Sequence, residues 1–135
     1  MDLRIDPASA VPIYAQILEQ VRSLVACRAL RPGDQLPSVR ELAATLRVNR
    51  NTAAKAYQML EADGVIETRA GHGCFVASGG PRWSREERVR RLDLSLDRAV
   101  IEAIQLEVPL DEIASHLERR LKLFARRHAG PGRKG

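Results

Sequence analysis

From Leu42 to Leu60 the chain carries Arg47, Arg50 and Lys55 and not one Asp or Glu; acids resume only at Glu61. Asn49 is a good N-cap for the helical pattern that follows over about 50–63, with Thr52 three residues on. A helix N-terminus presents free N–H groups and the positive end of the macrodipole, which suits a phosphate. Arg50, Asn51 and Thr52 in its first turn add a forked donor, an amide able to read adenine, and a hydroxyl. These are the side chains that the start of a recognition helix offers to the major groove, and the small Ala53 and Ala54 allow close approach. On an arbitrary helix the same residues would be caps and a solvated face; what flanks them decides.

Upstream, Ser38 and Glu41 have the S-x-x-E spacing of a capping box, opening a short helix whose inner stripe is Val39, Leu42, Ala43 and Leu46. In a helix-turn-helix this first helix crosses the DNA backbone, so Ser38 and Arg40 are expected to hold phosphates rather than read bases. Ser38 can cap and contact at once. Arg47-Val48-Asn49 is the break between the two helices. Downstream, Gly64 sits where a left-handed C-terminal cap belongs, and Val65 to Arg69 alternate as a strand. Ala70 to Gly73 make a tight turn, and Cys74 to Ala77 return as a second strand. A hairpin directly after a helix-turn-helix is a wing, with Arg69, His72 and Gly73 at its tip, able to lie along the sugar-phosphate edge or in the minor groove. The expected DNA-contacting set is Ser38, Arg40, Arg47, Asn49, Arg50, Asn51, Thr52, Lys55, Arg69, His72 and Gly73.

Catalysis finds little to work with. His72, His116 and His128 have no partner at metal-ligand spacing, and no Gly-rich phosphate loop is present. Cys27 and Cys74 belong to no CxxC or Cys/His cluster; Cys27 reads as a small buried residue ending the first helix and Cys74 as the start of a strand. No cofactor, metal or enzymatic activity is expected.

The elements that must position the reading helix begin at Pro12, which suits a first helical turn. Ile13, Tyr14, Ile17, Leu18, Val21, Leu24 and Val25 then recur at helical spacing, giving an amphipathic helix over roughly 12–29. The order is α-α-α-β-β. The expected fold class is therefore mainly α with a small β-hairpin: a winged helix-turn-helix DNA-binding domain over 1–78, a linker at 79–83, and a two-helix C-terminal tail over 84–128 before a frayed end at 129–135.

The tail opens with a second capping-box spacing, Ser84 and Glu87. Val89, Leu92, Leu96, Val100 and Ile104 keep helical period to about Leu106; Glu107-Val108-Pro109 breaks it, and Ile113, Leu117, Leu121 and Phe124 mark a last helix ending near Arg127. Two such helices cannot bury these stripes well alone, so they either fold back on the winged helix or pair with a second copy.

Length and composition set the outer bounds. The 135 residues suffice for one ordinary domain or a small one with an appendage, and 44% hydrophobic content excludes wholesale disorder. No apolar run reaches about 18 residues, and the charged N-terminus is unlike a signal peptide, so a soluble cytoplasmic protein without membrane contact is expected. The net charge of +5 points to an anionic partner. Charge alone would place the anion site in the tail: residues 1–81 hold nine Lys/Arg against eight acids, 82–135 thirteen against nine, with seven cations and no acid from Arg119 onward. The motifs place it at the helix beginning near Arg50 instead.

The segments Pro12-Ile13-Tyr14-Ala15-Gln16-Ile17, Pro32-Gly33-Asp34-Gln35-Leu36-Pro37-Ser38-Val39-Arg40-Glu41-Leu42-Ala43, Val48-Asn49-Arg50-Asn51-Thr52, Lys55-Ala56-Tyr57, Leu60-Glu61 and Gly71-His72-Gly73-Cys74-Phe75-Val76 resemble the GntR family of bacterial transcription regulators, in order and with the right spacing over about residues 3–77. The V-N-R-N-T wording and short helical tail are similar to the YtrA subfamily. The resemblance implies DNA contacts from Arg40, from Arg50, Asn51 and Thr52, and from the wing tip at His72 and Gly73. Two positions depart from the family pattern: Ala54 stands where arginine is frequent, and Cys74 replaces the wing threonine.

The resemblance also implies that the tail dimerises, through Val89, Leu92, Leu96, Val100, Ile104, Ile113, Leu117, Leu121 and Phe124. It further implies repression of a promoter from a palindromic operator, often that of an ABC transporter operon. A tail of about 45 residues leaves little room for a ligand pocket of ~300 Å³. An effector, if one exists, would then bind at the dimer interface or between domain and tail. The rival from another class is a winged-helix protein-interaction adaptor, because charge over residues 1–81 nearly cancels.

Overall fold

The first apolar stripe forms helix α1, Ile13–Ala26, with Pro12 at its N-cap position and Ile17, Leu18 and Val21 buried. The computed structural model describes residues 1–80 and 82–129. The helix stops three residues short of the expected 29, because Arg28 turns left-handed (φ 61°) and the Ala29 amide donates back to the Leu24 carbonyl at 2.9 Å. Cys27, expected to be buried, is half-exposed just past the helix end.

Helices α2 (Val39–Leu46) and α3 (Arg50–Ala62) follow, joined by a three-residue turn as the spacing predicts. The inner residues of α3 are Ala53, Ala56, Tyr57 and Leu60, all buried, and the two alanines let α3 pack closely on α1 and α2. Burying Leu60 completely is worth about 1.5–3 kcal/mol. The Tyr57 hydroxyl reaches across to donate to the Pro37 carbonyl at 2.7 Å, tying α3 to the residue before the α2 cap. Burial holds that phenol well above its ordinary pKa, so it stays a donor at any working pH.

The hairpin consists of β2 (Ile66–Arg69) and β3 (Gly73–Val76), with Arg69 opposite Gly73. Sequence reading missed its third strand. Gln35–Leu36 forms β1, antiparallel to β3 on the edge away from β2, with Gln35 opposite Phe75. Two residues cannot show a period of two, but the pairing buries Leu36 and anchors the wing to the loop entering α2.

A second feature absent from the sequence reading is the N-terminal segment, which lies along α1. Gln20 exchanges two hydrogen bonds with the backbone of Arg4 (2.9 and 2.7 Å), and Gln16 does the same for Asp6 (2.8 and 2.9 Å). These amides, one helical turn apart, satisfy an extended backbone as a neighbouring strand would, and Leu3 enters the core.

By contact the chain divides into two units at about Gly80, and each is described by itself. The second contains α4 (Arg85–Gln105), capped by Ser84, then a 3-10 turn at Leu110–Glu112 and α5 (Ile113–Ala129). Pro109, which suits the start of the last helix, caps the 3-10 turn instead, and the α-helix begins at Ile113. Pro81 of the expected linker and 130–135 of the expected frayed end lie outside the described residues. Among the described residues no helix is long and apolar enough to cross a membrane.

No residue of α4 is buried. Val89, Leu92, Leu96, Val100, Ile104, Leu117 and Leu121 are exposed, and Ile113 and Phe124 half-buried. The two helices meet at the intervening turn rather than along their lengths. Leu94 and Ile101 are exposed as well, on the other side of α4 from the expected stripe.

Candidate nucleic-acid interface

The interface is built from the N-terminus of α3 outward. Asn49 is its N-cap, its side-chain oxygen accepting from the Asn51 amide at 2.7 Å. Capping therefore occupies the Asn49 oxygen and leaves Arg50 and Asn51 exposed in the first turn, with Thr52 half-buried behind them. The helix end on which the whole reading depends is open to solvent.

Charge around it is one-sided. Among the described residues Arg40, Arg47 and Arg50 have no carboxylate within ion-pair distance. The nearest acid in sequence, Glu41, is turned to local work: its carboxylate accepts from the Ser38 amide at 2.9 Å while the Ser38 hydroxyl accepts from the Glu41 amide at 3.0 Å. Those hydrogen bonds hold the Glu41 carboxyl below its ordinary pKa. The capping box is thus complete, and the Ser38 hydroxyl keeps its proton for an outside acceptor. Arg40, one turn-step on, is exposed.

Arg47 occupies the turn itself in the left-handed conformation (φ 56°, ψ 47°), with the Val48 amide bonded to the Ala43 carbonyl at 3.0 Å. This is the helix-ending motif that usually takes glycine. A side chain is tolerated there at a cost of about 1 kcal/mol, which places its guanidinium at the helix-turn-helix corner.

Lys55 is exposed but not loose: its ammonium sits 4.0 Å from the centre of the Tyr14 ring on α1. Tyr14, read from sequence only as part of an apolar stripe, is therefore a support for a candidate contact residue. Nothing short of the α1–α3 packing could have shown it.

At the wing, the turn is closed by the His72 amide donating to the Arg69 carbonyl at 2.9 Å, with Gly71 at φ 77°. Gly73 needs φ 104°, and a Cβ there would meet the Gln35 amide nitrogen at 3.3 Å. That Gln35 amide donates to the His72 carbonyl at 3.1 Å, bracing the tip from β1. Gly73 thus has a backbone reason to be glycine independent of any ligand. His72 is exposed, whereas Arg69 is partly committed, stacked 4.2 Å over Phe75 and 3.4 Å from Glu67. The structure gathers Ser38, Arg40, Arg47, Asn49, Arg50, Asn51 and Thr52 on two consecutive helices and their turn, and Arg69, His72 and Gly73 on the hairpin. Among the described residues no cluster of His, Cys, Asp and Glu could hold a metal ion.

Comparison with known proteins bears on the family and the fold. Residues 13–76 match the family model for bacterial regulatory proteins, gntR family. The chain is 38% identical over 111 residues to the HTH-type transcriptional repressor YtrA of Bacillus subtilis, covering 82% of this chain and 85% of that protein. Among solved structures, a transcriptional antiterminator from Listeria monocytogenes superposes with a TM-score of 0.77 at 30% identity, covering 92% of each chain. YtrA from Sulfolobus acidocaldarius, a GntR-family transcription factor, gives 0.63 at 34% identity over 92% of this chain and all of that one.

Proposed function

The chain belongs to the GntR family of bacterial regulatory proteins, resembling its YtrA-type members, and from that premise we propose that it is a homodimeric repressor of a palindromic operator. In this reading α3 enters the major groove, with Arg50 and Asn51 reading bases and Thr52 and Lys55 beside them. Ser38, Arg40, Arg47 and the cap at Asn49 fix the backbone, and the wing tip at Arg69, His72 and Gly73 follows the neighbouring groove. The tail joins two copies so that the reading helices fall about one turn of DNA, roughly 34 Å, apart. Bound there, the dimer occludes a promoter; the resemblance points to an adjacent ABC transporter operon and to release by an effector. The relatives are transcriptional regulators, which agrees with a binding rather than an enzymatic role.

The observation that carries the reading is the open, acid-free start of α3 between a capped partner helix and a wing. Arg50→Ala tests it. The substitution is expected to cost about 1–3 kcal/mol on duplex from the promoter of the neighbouring genes and to relax preference over mixed sequence. Retention of both affinity and preference would refute the recognition-helix assignment. A salt titration separates the adaptor alternative, which predicts no duplex binding at any ionic strength.

A further inference from the structure

The seven cations that follow Glu118 have no role in the regulator reading. Five of them fall on α5: Arg119, Arg120, Lys122, Arg126 and Arg127. Among the described residues none of the five has a carboxylate partner; Arg119 instead lies 2.8 Å from the His116 ring nitrogen, and Arg120 and Arg127 lie over Phe124 at 5.7 and 5.6 Å. At roughly 3.6 residues per turn, Arg119, Lys122 and Arg126 project opposite to the stripe of Ile113, Leu117, Leu121 and Phe124. These three, with Arg120 and Leu123, line a shallow groove.

The helix dipole explains only part of this. It favours cations in the last turn, which covers Arg126 and Arg127 and leaves Arg119 and Lys122 uncompensated. Unpaired like charges on adjacent turns repel, and an external polyanion would relieve that repulsion. Resting on the dimeric DNA-binding reading, we infer that Arg119, Lys122 and Arg126 form a second, sequence-independent surface for the phosphate backbone of duplex DNA. Pairing of the tails consumes the apolar stripe and leaves the opposite face turned outward. An anionic membrane would need that stripe free, which disfavours a lipid surface. From Arg119 to Arg126 the helix rises about 10 Å, the length of about three phosphate steps of one strand.

The test uses the full chain, parent and Arg119→Gln/Lys122→Gln/Arg126→Gln, on a mixed-sequence duplex of about 40 bp over a salt series. The triple variant should remain a dimer in sedimentation. Its affinity should fall at least about tenfold, and its log-affinity against log-salt slope should flatten by about 0.9 for each phosphate it no longer neutralises. Lys122→Gln/Arg126→Gln alone should give an intermediate slope. An unchanged slope in a dimeric triple variant overturns the inference, while loss of preference in Arg50→Ala for promoter duplex over the mixed-sequence duplex, titrated alongside, shows that the regulator reading survives. Parent protein that binds no duplex sinks both. Loss of binding to phosphatidylserine vesicles with duplex binding intact would also overturn it, in favour of a membrane surface.

Discussion

Leu60 and Leu121 are the same residue at inward-reading positions of amphipathic helices, and the chain treats them oppositely. Leu60 is fully buried among α1, α2 and the hairpin, whereas Leu121 is 58% exposed. The winged-helix unit closes its core within one copy, drawing on every element from Leu3 to Val76. The tail has the same periodicity, but the box at Ser84 is only half-formed, its Glu87 carboxylate going to Arg90 and Arg91, and among the described residues it has no buried core. Amphipathic pattern therefore specifies a face to be covered and is silent about what covers it. In one unit the cover is the rest of the fold; in the other, on the proposed reading, it is a second copy.

Removing residues 84–135 is the most severe way to break that comparison. The remaining winged helix is expected to stay folded and monomeric and to bind operator duplex about 10²–10⁴-fold more weakly, because the second half-site no longer assists the first. Sedimentation and titration read both effects. A truncated chain that still dimerises would remove the tail from its role.

The two leucines sharpen it next. Leu60→Ala should cost about 2–5 kcal/mol in chemical denaturation, independent of protein concentration. Leu121→Ala makes no cavity in a single copy, so its loss should appear as weaker dimerisation and a melting temperature that depends on concentration. Identical concentration dependence in the two variants would erase the distinction.

Within the winged helix, Arg47→Gly separates fold from contact. Glycine relieves the left-handed strain but adds freedom to the unfolded chain, so stability should stay within about 1 kcal/mol of the parent, on the favourable side. DNA affinity should nevertheless fall. An unaltered affinity would leave Arg47 as a turn residue only.

The smallest effect is in acid. The Glu41 carboxyl is held below its ordinary pKa in the folded chain, so its contribution is present above the unfolded pKa. It is lost as pH falls through the folded value. Melting temperature followed across that window should flatten slightly in Glu41→Gln, which keeps an acceptor but no titrating group. A parent-like acid slope in that variant would show that the capping box does not carry the pH dependence.

Much of the candidate interface was legible because its signals are local. A capping box needs only Ser38 and Glu41 three residues apart, and the N-cap at Asn49 and turn at Gly71 follow from backbone preferences of single residues. The turn at Arg47 was legible as a break but not as a left-handed one, since arginine carries no such preference. Supports for the candidate contact residues were invisible: Tyr14 beneath Lys55, Phe75 beneath Arg69, and Gln35 behind the wing tip are separated from what they support by 41, 6 and 37 residues or meet it only across strands.

By itself the sequence determined the order of the five α-helices and the hairpin and the caps that begin α2, α3 and α4, because each of these depends on neighbours within a few residues. Only the tertiary structure decided that Gln35–Leu36 becomes a third strand, that Gln16 and Gln20 bind the N-terminal segment, that the start of α3 stays open to solvent, and that the two tail helices meet at their turn rather than along their stripes. Those outcomes are set by which surfaces meet in space, and hydrogen-bond partners and buried area between distant segments leave no periodic trace in the chain.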